Sequence, residues 1–144
     1  MATSNQAAWQ NMQSKLASMG YNVLSAIGEP YAPPEGMTAC IIPLGGRIDE
    51  VTLQAPREIH QAAIRFYAPM LEQPQEQIEF ELDQARANIQ SDIFGDFDLG
   101  GNIAYALPAL FTWAYGYQDV SHIVYRLLDL NVFYRVDDRA AFVA

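Results

Sequence analysis

The chain has 144 residues, which suits one domain spanning 1–144 with a core of its own. It is 51% hydrophobic and only 17% charged, which argues against bulk disorder and leaves a neutral surface, part of which can be buried against partners. A net charge of −9 and a pI near 4.4 argue against a sequence-reading nucleic-acid binder, which needs a basic face.

Asn5 to Met19 reads as the first helix: Trp9, Met12, Leu16 and Met19 recur at spacings of three and four, and Gly20 stops it. No signal peptide is read in MATSNQAAWQ, which lacks a basic start and an apolar run. Ser25 to Gly36 holds three prolines and two glycines and reads as a loop. Thr38 to Leu44 (TACIIPL) reads as a strand, with Pro43 pointing to an edge or a strand end. Gly45-Gly46 then suits a tight hairpin turn into RIDEVTLQ, because glycine takes positive φ cheaply. Ile59 to Ala68 is the next strand, with Ala62, Ile64 and Phe66 on one face and Gln61, Arg65 and Tyr67 on the other.

Pro74 to Phe94 is the clearest helix, with Ile78, Leu82, Ala85, Ile89 and Ile93 in one stripe, Pro74 in its first turn and Gly95 beyond its end. Asn102 to Tyr115 reads as a strand interrupted at Pro108, Gly116 to Ser121 as a turn, and Ile123 to Val136 as the longest strand. In that last strand Leu128, Leu130, Val132, Tyr134 and Val136 face one way, and Asp129, Asn131 and Arg135 the other. The doubled Leu-Gly-Gly, at 44–46 and 99–101, completes neither GxGxxG nor GxxxxGK, so both copies read as turns rather than a repeat or a phosphate loop.

Chemistry is sparse. A single cysteine and two histidines cannot build a standard structural zinc site, and the lone Cys40 forms no disulfide within the chain, which suggests intracellular synthesis. Cys40 sits in an apolar strand and reads as inert core, and His60 as a half-buried strand residue. Asp96 to Gly100 echoes the start of a calcium loop but lacks the third acid, the glycine at position six and the closing Glu, so a solvated turn is the simpler reading. His122 follows Ser121 directly, but adjacent residues on a strand point apart, so no hydrolase triad is read from the pair. No catalytic, cofactor or metal residues are assigned, and no enzyme is expected. No run approaches the roughly 20 apolar residues of a membrane helix, so no membrane partner is expected either.

Two surfaces stand out. Tyr105, Phe111, Trp113, Tyr115 and Tyr117 cluster in strand-like sequence, which fits core plus a protein interface better than a small-molecule pocket. From Glu72 to Asp98 there are eight acids and one base, Arg86, so this segment carries −7 of the −9. Within it, Glu76, Glu79, Asp83, Asp92, Asp96 and Asp98 are candidates for an acidic surface, against the plainer reading of a solvated helix face.

From Glu81 onward the chain resembles the tail terminator (tail completion) proteins of long-tailed bacteriophages. The likeness rests on the helix ELDQARANIQSDIF, then DLGGNIAYAL, then YGYQDVSHIVYRLLDLNVFYRV with its Tyr125-Arg126 pair. The segments TACIIPL and AAIRFYA are similar to that family's earlier strands. The resemblance implies an α/β (α+β) sandwich, a mostly antiparallel four- to five-stranded sheet packed by two main helices. It implies a homo-hexameric ring at the neck of a virion, made in the host cytoplasm. Such a ring caps the tail tube, ends its polymerisation and meets the head-tail connector, or stopper, while double-stranded DNA passes through without sequence recognition. The alternatives are another phage neck or tail component, or a small-ligand-binding α+β domain whose aromatic strand lines a pocket.

Overall fold

A computed structural model describes residues 4–51, 56–95, 104–107 and 110–137. The elements run α1 (Ser4–Ser18), β1 (Asn22–Val23), β2 (Thr38–Val51), β3 (Pro56–Pro69), α2 (Gln75–Gly95), β4 (Ala104–Ala106), β5 (Thr112–Val120) and β6 (Ile123–Asp137). The protein is α+β, with two helices on one face of a single mixed sheet ordered β1-β2-β3-β6-β4, in which β5 also pairs β6. β2, β3, β5 and β6 form the antiparallel body of the sheet, and only the two-residue β1 is parallel to its neighbour.

Strand periodicity creates two layers. Ala62, Ile64 and Phe66 of β3 join Leu128, Leu130, Val132, Tyr134 and Val136 of β6 beneath the helices, as the alternation predicts. Helix α2 lowers its whole predicted stripe onto that face: Ile78, Leu82, Ala85, Ile89 and Ile93 are all buried. Burying each Ile or Leu side chain stabilises the layer by about 1.5–3 kcal/mol. Ala8, Met12 and Leu16 of α1 complete the same core. Trp9 donates its indole N–H to the Tyr134 hydroxyl at 2.9 Å, and that hydroxyl in turn donates to the Asn5 side chain.

Helix α1 ends as its glycine predicts. Gly20 has φ +93°, its N–H bonds the Ala17 carbonyl, and the Tyr21 N–H reaches back to Leu16. These are the two closing bonds of a Schellman motif.

The opposite face of the sheet holds a smaller core of Cys40, Tyr67, Val120, Tyr125 and Leu127. The predicted proline-rich loop lies against it. Leu24 and Gly28 donate to the Ala39 and Ile41 carbonyls on the outer side of β2, and the Tyr125 hydroxyl donates to the Pro34 carbonyl at 2.8 Å.

Three expectations need correction. Gly45-Gly46 is not a hairpin turn. β2 runs through both glycines, with Gly45 opposite Gln61, Gly46 opposite His60 and a register shift between Pro43 and Gly45. Leu44, directly before the pair, is the extra residue of a β-bulge, which bends one strand against its partner. Gly45 has φ +135°, and a Cβ on Gly46 would lie 2.8 Å from the Ile59 carbonyl oxygen and 2.9 Å from His60 Nδ1. The chain reverses instead beyond Val51, where β3 begins at Pro56.

Gly116 to Ser121 is likewise not a turn, because β5 continues to Val120 with Gly116 opposite Leu127. Ser121 and His122 alone make the reversal, with φ of 49° and 68°. A two-residue hairpin whose central residues both have positive φ matches the right-handed twist of its strands, and here non-glycine residues supply it. The strand read from Asn102 to Tyr115 divides into β4 and the start of β5, both paired with β6 on the same side. Pro108 and the second Leu-Gly-Gly lie outside the described residues.

Gly46→Ala is expected to destabilise the protein by about 1–3 kcal/mol, since the bulge has no room for a methyl group. Urea unfolding with an unchanged m-value checks this.

Candidate functional site

The exposed aromatic residues of β5 lie beside α2. Trp113, Tyr115 and Tyr117 occupy alternate positions, opposite Leu130, Leu128 and Arg126 of β6, so they share the helix-bearing face of the sheet. They remain 44%, 37% and 56% exposed, because α2 is seated further in over β6 and β3 and leaves this margin open. Phe111, just before β5, is partly buried against the main core with its ring 5.8 Å from Trp113. Tyr105 stands opposite Arg135 in the β4–β6 pair. The predicted cluster therefore divides: Phe111 belongs to the core, while Trp113, Tyr115 and Tyr117 form a surface.

Cations hold that surface in place. The Arg86 guanidinium lies 4.8 Å from the Trp113 ring centre, and the Arg126 guanidinium lies 5.2 Å from Tyr115 and 4.5 Å from Tyr117. A guanidinium over an aromatic face is attracted by the ring quadrupole. Acids of α2 anchor both cations: Arg126 Nε donates to Glu79 at 2.7 Å, and Arg86 to Asp83 at 3.0 Å. Burial raises the Tyr115 pKa, helped by nearby Asp83, so this ring keeps its proton. The result is a neutral array, acid on cation on ring, with broad apolar area for contact.

This arrangement changes the reading of the acidic segment. Glu79 and Asp83 are spent on the two arginines, and Asp92 pairs with Lys15 of α1 at 3.1 Å. Glu76 is exposed at the start of α2, where the helix dipole favours it. Asp96, Asp98 and the calcium-like stretch lie outside the described residues.

Sequence reasoning missed the polar cluster on the opposite face. Arg65 of β3 makes a bidentate pair with Asp129 of β6, Nε to Oδ1 at 2.6 Å and Nη2 to Oδ2 at 3.1 Å. Its Nη1 donates to Glu29 at 2.9 Å and to Gln118 at 3.2 Å, so one guanidinium ties the proline-rich loop to three strands. The Asp129 hydrogen bond raises the Arg65 pKa against the opposing effect of burial, and the group stays charged. Both residues fall on the polar side of their predicted strands, which is the one signal the sequence carries; that they stand opposite each other depends on register.

The remaining candidates do not converge. Cys40 is fully buried, and burial pushes its thiol up to about 12. His60 is half-buried, 2.7 Å from Glu58, and stacked on Tyr134. Ser121 and His122 are exposed turn residues. Among the described residues no serine, threonine or cysteine is hydrogen-bonded to a histidine, and no group of three or more His, Cys, Asp or Glu could hold a metal ion. Also among them, no helix is long and apolar enough to cross a membrane. A groove of about 430 Å³ lies at the bulge, lined by residues that include Leu44, Gly46, His60, Leu110 and Phe133. The exposed aromatic residues of β5 take no part in it. No protein-family model matches the chain, and comparison with curated proteins finds no match.

Cys40 generates a pH prediction. A thiol with an ordinary pKa of 9.0 ionises first in the unfolded chain, because the folded value is about 12. The unfolded state then binds fewer protons than the folded one, so stability is full below pH 9 and falls as pH rises toward 12. Tyr134, raised to about 12 by burial, acts in the same direction. Cys40→Ala should flatten part of this fall, measured by urea unfolding at pH 8, 9.5 and 11.

Proposed function

We propose that this protein is a ring-forming structural subunit of the tail-terminator type. It assembles as a homo-hexamer that caps a phage tail tube, stops its growth and joins it to the head connector at the neck of the virion. DNA passes through the ring without being read. The observation that carries the reading is the element order: a first helix, paired long strands, a long helix and a terminal hairpin, with both helices on one face of a mostly antiparallel sheet. The three exposed aromatic residues along β5 support it, since an apolar strand margin is what a subunit that packs against neighbours presents.

The low charge fits the same role. Glu79, Asp83 and Asp92 are neutralised within the subunit, which leaves the exposed Glu76 to shape the outer field. An acidic lumen or rim repels DNA phosphates and lets the duplex slide.

The groove beside Gly46 favours a second reading, a small-ligand-binding domain, although its lining comes from the β2 bulge rather than from the predicted aromatic strand.

Light scattering with negative-stain imaging tests the first reading. The expected species is a ring with a central hole near 97 kDa, six copies of a 16.1 kDa chain, which stops the elongation of purified tail tubes. A stable dimer that leaves tube growth unchanged would overturn it. Glu76→Lys, a surface change, is expected to slow DNA ejection without loss of fold; unchanged ejection and infectivity would remove Glu76 from the lumen.

A further inference from the structure

Among the described residues the sheet ends in two open edges. On one side, β5 pairs β6, and no described residue pairs with its other edge. On the far side, β1 covers only Thr38 and Ala39 of β2, and Gly28 donates to Ile41. Past that point, Pro43 to Val51 has no described partner on its outer edge. Long exposed strand edges are templates for further pairing unless something covers them.

The two edges are matched. β2 is antiparallel to β3, β3 to β6 and β6 to β5, so β2 and β5 run in opposite directions. A second copy placed alongside the first, in the same orientation, brings β5 of one against β2 of the next with antiparallel polarity, as in every other long pair. β5 is nine residues long, and the open stretch of β2 from Pro43 to Val51 also has nine, bent by register shifts between Pro43 and Gly45 and between Ile48 and Glu50. Both margins carry exposed apolar side chains: Trp113, Tyr115 and Tyr117 on one, and Leu44 and Ile48, 50% and 62% exposed, on the other, where Arg47 is exposed between them.

The backbone of β5 is available as well. A two-residue turn closes on the hydrogen-bonded pair Val120 and Ile123, so alternate residues from Val120 backward bond β6. The N–H and C=O groups of Trp113, Tyr115, Tyr117 and Asp119 therefore point to the open side. Pro43 stands on the outer edge of β2, where its missing N–H costs no bond to β3.

We propose that the subunit seam is β-strand addition, with the open edge of β5 in one copy pairing antiparallel with the Pro43–Val51 edge of β2 in the next. This inference rests on the homo-oligomer reading above and names its contact. It is a head-to-tail interface, in which each copy offers two different surfaces. Such contacts make a closed ring when the rotation per subunit closes, and a filament when it does not.

Two edge variants test the seam. Tyr117→Pro removes an outward N–H from β5 and leaves the β6 ladder intact; Ile48→Lys puts a charge on the exposed β2 margin. Each variant retains one sound edge. The expected result is an assembly for the wild-type chain, single chains of 16.1 kDa for each variant alone, and a two-chain species for their equimolar mixture. Far-UV circular dichroism verifies folding, and Tyr117→Lys replaces Tyr117→Pro if the proline unfolds the chain.

Folded variants that keep the wild-type mass, or a mixture that remains single chains, would overturn the seam. So would a wild-type chain that stays at 16.1 kDa at every concentration. Tube capping by the wild-type chain is scored separately. Capping with unaffected variants rejects the seam alone, whereas an assembly that depends on both edges but leaves tubes growing rejects the tail reading and keeps the seam.

Discussion

Strand β6 is the constraint on which the rest of the structure depends. It is hydrogen-bonded to β3 along thirteen paired positions on one side and to both β4 and β5 on the other. Its alternation assigns both layers at once, because Leu128, Leu130, Val132, Tyr134 and Val136 enter the helix-side core while Asp129 meets Arg65 on the other face. A slip of one residue would place Asp129, Asn131 and Arg135 under α2 and expose five core residues, so the register has no near neighbour in energy. The seats of both helices, the place of the proline-rich loop and the position of the aromatic margin all follow from it.

The two faces are closed by different physics. Under the helices, closure is hydrophobic and continuous from α1 through the sheet to α2. On the opposite face, the apolar cluster is smaller and a loop rather than a helix covers it. There a charged group does the organising. Arg65 satisfies Asp129, Glu29 and Gln118 together, and the Tyr67 hydroxyl also donates to Gln118. Partly buried guanidinium groups need this many acceptors to offset the loss of water. The loop thus has a fixed seat although it carries little regular structure.

The parts of the fold legible in the sequence were those whose signal is local and periodic. The stripe of α2, the alternation of β6, the helix stop at Gly20 and the burial of Cys40 each depend on one segment and its own geometry. What was misread depends on a partner segment. Gly45-Gly46 has the chemistry of a turn, but pairing with β3 keeps both glycines within the strand beside a bulge at Leu44, and the close approach of His60 is visible only in three dimensions. Gly116 drew the turn away from Ser121-His122 because positive φ is commonly a glycine property, whereas strand pairing fixes where the reversal must fall. The candidate site behaved alike. That β5 is rich in exposed aromatic residues was readable, while the arginines that cover them, and the Lys15 and Arg126 that neutralise α2 acids, arrive from other elements.

The bond between Trp9 and Tyr134 spans 125 positions, so the first helix finds a main partner in the last strand. Synthesis delivers the chain in order, and α1, with its row of Ala8, Met12 and Leu16, emerges long before Val132, Tyr134 and Val136 exist to receive it. Helix α2 then arrives over a sheet that still lacks its central strand. The apolar faces of both helices therefore have only β2 and β3 to pack on until the final hairpin arrives, and the principal core is completed late. Contacts of such long range slow folding and lengthen the interval in which sticky surfaces are bare. For this molecule the vulnerable period is birth rather than maturity: shortening the chain within β6 would unseat the oldest helix along with the newest strand.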